Sequence, residues 1–144
     1  MAKDLTPYTT GSRLNMGTIN GTYQVLASDS SKVFMIDDAS DSGAYTISLP
    51  TTLQAGLEYK FVVRQDGSLA AVVTIDAGSA IIDFVMQDAG GSNSDSSNST
   101  AGTAKQYIKF TATSVQADYA YVWCDGTSWY GECMSSIDDA IDFA

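Results

Sequence analysis

The strongest constraint on this chain is alternation. Ala44-Tyr45-Thr46-Ile47-Ser48-Leu49-Pro50 is followed by Gly56-Leu57-Glu58-Tyr59-Lys60-Phe61-Val62-Val63, and nearer the end comes Tyr121-Val122-Trp123-Cys124-Asp125-Gly126-Thr127-Ser128-Trp129-Tyr130. Apolar side chains at every second residue mark a strand with one face in a core. Pro50 ends the first run because it lacks the N–H that a ladder needs. Asp125-Gly126 supplies the residues of a tight hairpin. Such a chain reads as a small all-β module, and nothing around these runs reads as a reaction centre.

The same period predicts strands at 22–27, 32–36, 45–49, 59–63, 72–76, 81–86, 107–113, 119–124 and 129–133. The tail, 137–143, reads as a short turn and then an edge strand. Ser28-Asp29-Ser30-Ser31 and residues 37–43 read as turns, and Asp66-Gly67 as a second tight-turn signal. Eight or nine strands at this spacing give a β-sandwich or jelly-roll-like barrel over residues 21–144. Residues 1–20 differ. Leu5, Tyr8, Leu14, Met16 and Ile19 are scattered among polar residues without a period, which describes an extended N-terminal arm that either frays or lies on another surface. Residues 87–105, rich in Gly, Ser, Asn, Ala and Thr, lack the apolar content to fold alone.

Charge narrows the function. Seven basic and seventeen acidic residues leave a net charge of −10 over 144 residues. A protein that binds nucleic acid without sequence preference neutralises phosphates with Lys and Arg, so this balance argues against nucleic acid and equally against an anionic membrane. No apolar run approaches the ~20 residues of a membrane span, and Met1-Ala2-Lys3-Asp4-Leu5-Thr6-Pro7 has no signal-peptide core. Synthesis in the cytoplasm is therefore expected. Cys124 and Cys133 do not form a CxxC. In a hairpin through Asp125-Gly126, Cys124 faces Trp129 and Cys133 lies near Ala120, so the thiols are offset and read as small buried hydrophobes.

Chemistry is sparse. With no histidine in the chain, Ser-His-Asp and Cys-His constellations and His-ligated metals drop out. The carboxylate pairs Asp37-Asp38 and Asp138-Asp139 are adjacent residues, and neighbours on a strand point to opposite faces. Asp29, Asp37, Asp38 and Asp41 gather around two turns without EF-hand spacing, which suits turn formation better than calcium. Gly90-Gly91 has no phosphate-loop context, and the sequons at Asn20 and Asn98 mean little without a secretory signal. No enzyme activity, cofactor or metal is expected. Tyr121, Trp123, Trp129 and Tyr130 remain as a platform for sugar rings, although aromatics beside a tight hairpin more often pack across strands.

The stretch 119–124 is apolar on both faces. Tyr119, Tyr121 and Trp123 occupy one, and Ala120, Val122 and Cys124 the other. A strand in a small sandwich normally shows one face to water. Two apolar faces point to a second cover, so Tyr119, Tyr121 and Trp123 are assigned to the core or to a subunit interface.

Ile47-Ser48-Leu49-Pro50, Ala55 to Val63, Ile81-Ile82 before a long Gly/Ser loop, and Cys124 to Tyr130 stand in this order over residues 22–132. In that arrangement the chain resembles the β-rich, trimeric head decoration (cement) proteins of tailed phages, with related modules in phage fibres and tips. The resemblance implies a homotrimer on the capsid exterior that binds the major capsid protein and bridges capsomers. Leu5, Tyr8, Leu14, Met16 and Ile19 are then the expected capsid or subunit contacts. The alternative is a glycan-binding module of a fibre or spike.

Overall fold

A computed structural model describes residues 16–37, 43–78, 105–137 and 139–144, and the backbone of 82–88. It is a sandwich of two mixed sheets. The six-stranded sheet runs β1 (Met16–Ile19), β3 (Lys32–Ile36), β5 (Glu58–Val63), β9 (Tyr119–Cys124), β10 (Trp129–Ser135), β7 (Ile82–Asp88). The five-stranded sheet runs β11 (Ile141–Phe143), β8 (Tyr107–Phe110), β6 (Val73–Asp76), β4 (Tyr45–Ser48), β2 (Tyr23–Gln24).

The all-β sandwich is as expected, but its wiring is not that of a jelly roll. From β1 to β6 the chain alternates between the sheets, so β1, β3 and β5 lie parallel in one and β2, β4 and β6 lie parallel in the other. This is a coil of three rungs. Only later do antiparallel partners appear, with β9 against β5 and β10, and β8 against β6 and β11. Asp66-Gly67 accordingly bends the chain (Gly67 φ 94°) but joins no hairpin, because β5 and β6 belong to different sheets. The physical reason lies in the connectors. Leu69 between β5 and β6 and Val25 between β2 and β3 are both buried, and each draws its connector across the core. Leu69 N–H is also held by the Ser114 carbonyl at 2.8 Å.

Alternation sorts the inner faces. Tyr45, Ile47 and Leu49 are all buried, and across from them lie Phe34, Tyr59, Phe61, Val63, Val122 and Trp129. Phe34 and Phe61 stack with centroids 5.5 Å apart, and Tyr59 meets Trp129 at 5.9 Å. Among the described residues the Trp129 indole N–H has no acceptor, a cost that the surrounding burial offsets. Cys124 pairs in register with Trp129 and Cys133 with Ala120, and both thiols are free and buried. Burial pushes the Cys133 thiol far above its ordinary range.

Several boundaries move. The span 22–27 holds only a two-residue strand, followed by a 3₁₀ turn at Ala27–Asp29. There the buried Asp29 carboxylate accepts Leu26 N–H at 3.0 Å and Lys32 Nζ at 2.6 Å. The arm expected over 1–20 ends earlier, since Met16–Ile19 is a strand paired with β3. Ile19 is 4% exposed and belongs to the core, so its side chain is closed to a docking role, whereas Met16 points outward at 59% exposure. Leu5, Tyr8 and Leu14 lie outside the described residues, as do Asp38, Asp41, Ile81, Asp138 and the stretch 89–104. The tail matches its expectation: Ile141–Phe143 pairs antiparallel with β8 at the sheet edge.

Candidate interaction face on the six-stranded sheet

The two outer faces of the sandwich differ in chemistry. On the five-stranded sheet the register aligns Thr46, Thr74, Lys109 and Asp142 in one outward row and Gln24, Ser48, Asp76 and Tyr107 in another. That is an ordinary water-facing surface.

On the six-stranded sheet the outward rows mix large apolar and aromatic residues with a few charged ones. One reads Met16, Val33, Lys60, Tyr121, Glu132 and the next Thr18, Met35, Val62, Tyr119, Met134. The third holds Glu58, Trp123 and Tyr130 and continues in register to Asp83 on β7. Met16, Trp123 and Met134 are the most open of the large apolar side chains here, with Trp123 at 37% and Met134 at 40% exposure. Tyr119, Tyr121 and Trp123 therefore face away from the core, whose side of β9 is Ala120, Val122 and Cys124. Of the two roles expected for them, the core role is excluded.

The tyrosines are held in place by carboxylates. Tyr119 donates to Glu132 Oε1 at 2.9 Å, Tyr121 donates to Glu58, and Tyr130 donates to Asp125 Oδ2 at 3.0 Å. The bond to Glu58, with some help from burial, pushes the Tyr121 phenol up to about 12. The bond to Glu132 raises Tyr119 in the same direction. Lys60 Nζ sits 4.2 Å from the Tyr119 ring centroid. Trp123 stands between Tyr121 (5.3 Å, 30°) and Tyr130 (6.0 Å, 17°), so three rings form one row. A shallow groove of ≈ 190 Å³ runs beside the row, between Lys32, Val33, Glu58, Lys60 and Tyr121.

The hairpin aims this row. Asp125 Oδ1 accepts Thr127 N–H at 2.7 Å and Ser128 N–H at 2.8 Å, and those backbone bonds hold its carboxyl below the usual range. The resulting turn sets Trp129 inward and Tyr130 outward. Trp129, expected among sugar-stacking residues, is fully buried against Tyr59 and cannot serve. Val33, Met35, Val62 and Met134 belong to the face and escaped sequence reasoning; only the register that lines them up with Tyr119 and Tyr121 reveals them.

Among the described residues no group of three or more His, Cys, Asp or Glu is placed to hold a metal ion, and no helix is long and apolar enough to cross a membrane. Comparison of the chain with protein-family models, curated proteins and solved structures found no match.

Proposed function

We propose that this chain is a structural virion protein, a homotrimeric decoration (cement) protein. It sits on the outside of a phage head, binds the major capsid protein and stabilises the shell by bridging capsomers. The observation that carries the reading is the asymmetry of the sandwich: one outer face is polar, while the other is an ordered apolar and aromatic surface with nothing folded over it among the described residues. A surface of that kind belongs to a component of an assembly. The order of motifs in the sequence supplies the virion, and repeated contacts on a shell turn weak docking into avidity.

A glycan-binding module of a fibre or spike is the second reading, favoured by the stacked rings of Tyr121, Trp123 and Tyr130. The thioether and aliphatic surface of Met16, Val33, Met35, Val62 and Met134 has no use in a sugar platform and favours the first.

The test is light scattering of the purified protein with and without empty phage heads. A species of about three times the 15.2 kDa chain mass that co-sediments with heads is expected. A monomer that ignores heads, and binds a polysaccharide array instead, overturns the cement reading.

A further inference from the structure

A sequence signal that the sandwich leaves unused is the sequon at Asn20, which is also an Asn-Gly step. We propose that Asn20-Gly21 is a modification site: in the folded protein Asn20 loses its amide nitrogen spontaneously, and the isoaspartate that results loosens the first rung of the coil. This chemistry does not depend on what the apolar face binds.

Asparagine is among the thermolabile residues. Four occur in the chain, and only Asn20 precedes a glycine. A glycine there matters because, without a Cβ, it leaves its own amide nitrogen open to the preceding side chain. Asn20 is exposed, and among the described residues neither its side-chain amide nor the Gly21 N–H makes a hydrogen bond. The fold makes no demand on that glycine. Gly67 and Gly126 sit at φ 94° and 98°, whereas Gly21 lies outside the left-handed region and has nothing within 4 Å of the place where a Cβ would stand. Asp125-Gly126 shows the opposite case. Asp125 Oδ1 and Oδ2 are both engaged, and the Gly126 N–H donates to Cys124 Sγ at 3.3 Å.

The step balances with water alone. The Gly21 amide nitrogen gives its proton to base and attacks Asn20 Cγ. The new C–N bond closes a five-membered succinimide, the Cγ–Nδ2 bond breaks, and Nδ2 leaves as ammonia. Water then opens either carbonyl. Opening at Cγ gives aspartate, and opening at the Asn20 main-chain carbonyl gives isoaspartate, whose backbone runs through Cβ and Cγ and is one carbon longer. Asn20, Gly21 and Thr22 are the whole connector between β1 in one sheet and β2 in the other. The four Cα–Cα steps from Ile19 to Tyr23 reach about 14 Å at most, and stacked sheets lie about 10 Å apart, so little slack exists. One end is fixed, because the Ile19 carbonyl accepts Asp37 N–H at 2.9 Å and the Tyr45 hydroxyl at 3.1 Å. The added carbon therefore displaces β2, an edge strand of two residues paired with β4.

The experiment incubates the full chain at mildly alkaline pH, native and in guanidinium chloride. Tandem mass spectrometry follows the tryptic peptide from Leu14 to Lys32, and an isoaspartyl methyltransferase labels the isoaspartate. Asn15-Met16 in the same peptide is an internal control and should lag behind. Native Asn20 should convert within about tenfold of the rate in the unfolded chain, since no local structure has to open first. The rate should rise with pH, because the attacking nitrogen must lose its proton. Gly21→Ala should slow conversion by about tenfold or more. It should also keep or raise the denaturant midpoint, since φ and space both admit the methyl group. Asn20→Asp adds the charge without lengthening the backbone and should keep the wild-type midpoint. The separated isoaspartyl form should unfold at lower denaturant and exchange the backbone amides of 16–24 faster.

Native Asn20 that converts more than about tenfold slower than the unfolded chain overturns the proposal, because the fold then protects the step. So does a Gly21→Ala protein that reacts at the wild-type rate, or one that loses stability and shows that the fold needs the glycine after all. An isoaspartyl form as stable as Asn20→Asp removes the effect on the first rung. None of these readouts involves phage heads, so this result and the cement reading stand or fall separately.

Discussion

At the scale of single residues, Asp29 shows how one buried carboxylate closes a turn. Its 5% exposure works to raise its pKa, but Lys32, the Leu26 N–H and the Tyr23 hydroxyl outweigh burial and leave it below the ordinary value. A folded pKa below the unfolded one gives stability that is present above about pH 4 and lost as pH falls through the lowered value. Asp29→Ala should cost about 2 kcal/mol at neutral pH, chiefly by stranding the Leu26 donor. Asp29→Asn should flatten the acid limb of a thermal-midpoint profile. The tyrosines act at the other end of the scale. Burial pushes Tyr59 up to about 12, and the Glu58 bond does the same for Tyr121. In the unfolded chain both ionise near 10, so their contribution is complete below pH ~10 and disappears between there and about 12. In Glu58→Gln, one phenolate transition should move down toward 10 in an absorbance titration while that of Tyr59 stays. If neither moves, Glu58 does not hold Tyr121.

At the scale of elements, the β9–β10 hairpin carries the aromatic row, and its turn depends on Gly126. With φ at 98°, and with a Cβ that would lie 3.3 Å from the Ala55 backbone nitrogen, the position admits no side chain without movement. Gly126→Ala should cost about 2 kcal/mol in chemical denaturation. Gly67→Ala, at φ 94° with open space around it, isolates the conformational part and should cost less. Equal losses would mean that the Ala55 contact is irrelevant. The hairpin was legible in the sequence because Asp125-Gly126 and the alternation on both sides are local facts. The β5–β6 connection was not. Asp66-Gly67 carries the same local chemistry, but Leu69 found its place in a core that exists only once both sheets are present.

At the scale of the whole molecule, the three-rung coil joins strands that are distant in sequence. Gly17 pairs with Phe34, Phe34 with Phe61, and Tyr45 with Val73. Non-local parallel pairing has to close long loops before contacts reward it, so refolding by stopped-flow fluorescence should fall in the range of about milliseconds to seconds. Microsecond folding would contradict this topology. The first rung also sets where the chain can be trimmed. Deleting residues 1–15 leaves β1 in place, whereas deleting 1–20 removes Ile19 from the core and a whole edge strand from β3. The longer deletion should lose stability by about 2 kcal/mol more, read as a lower denaturant midpoint. Loss of head binding after the 1–20 deletion is therefore ambiguous, and only the 1–15 deletion tests an arm.

What the sequence determined by itself was the class of fold and the sidedness of its strands. Side-chain alternation is a property of the strand, so Tyr45, Ile47 and Leu49 go inward together whatever the neighbouring strand is. It also placed Tyr119, Tyr121 and Trp123 on one side of β9. Only the tertiary structure decided which side that was, because both sides are apolar and each would satisfy a core. The choice falls on volume: Ala120, Val122 and Cys124 stand beside the large rings of Phe61, Tyr59 and Trp129 as their cross-strand neighbours on the inner face, leaving the larger side chains of β9 outside. Strand order was equally beyond the sequence, since neighbours in a sheet are selected by packing across the sandwich and not by proximity along the chain. The apolar face follows from both decisions, and neither is written in any local stretch of residues.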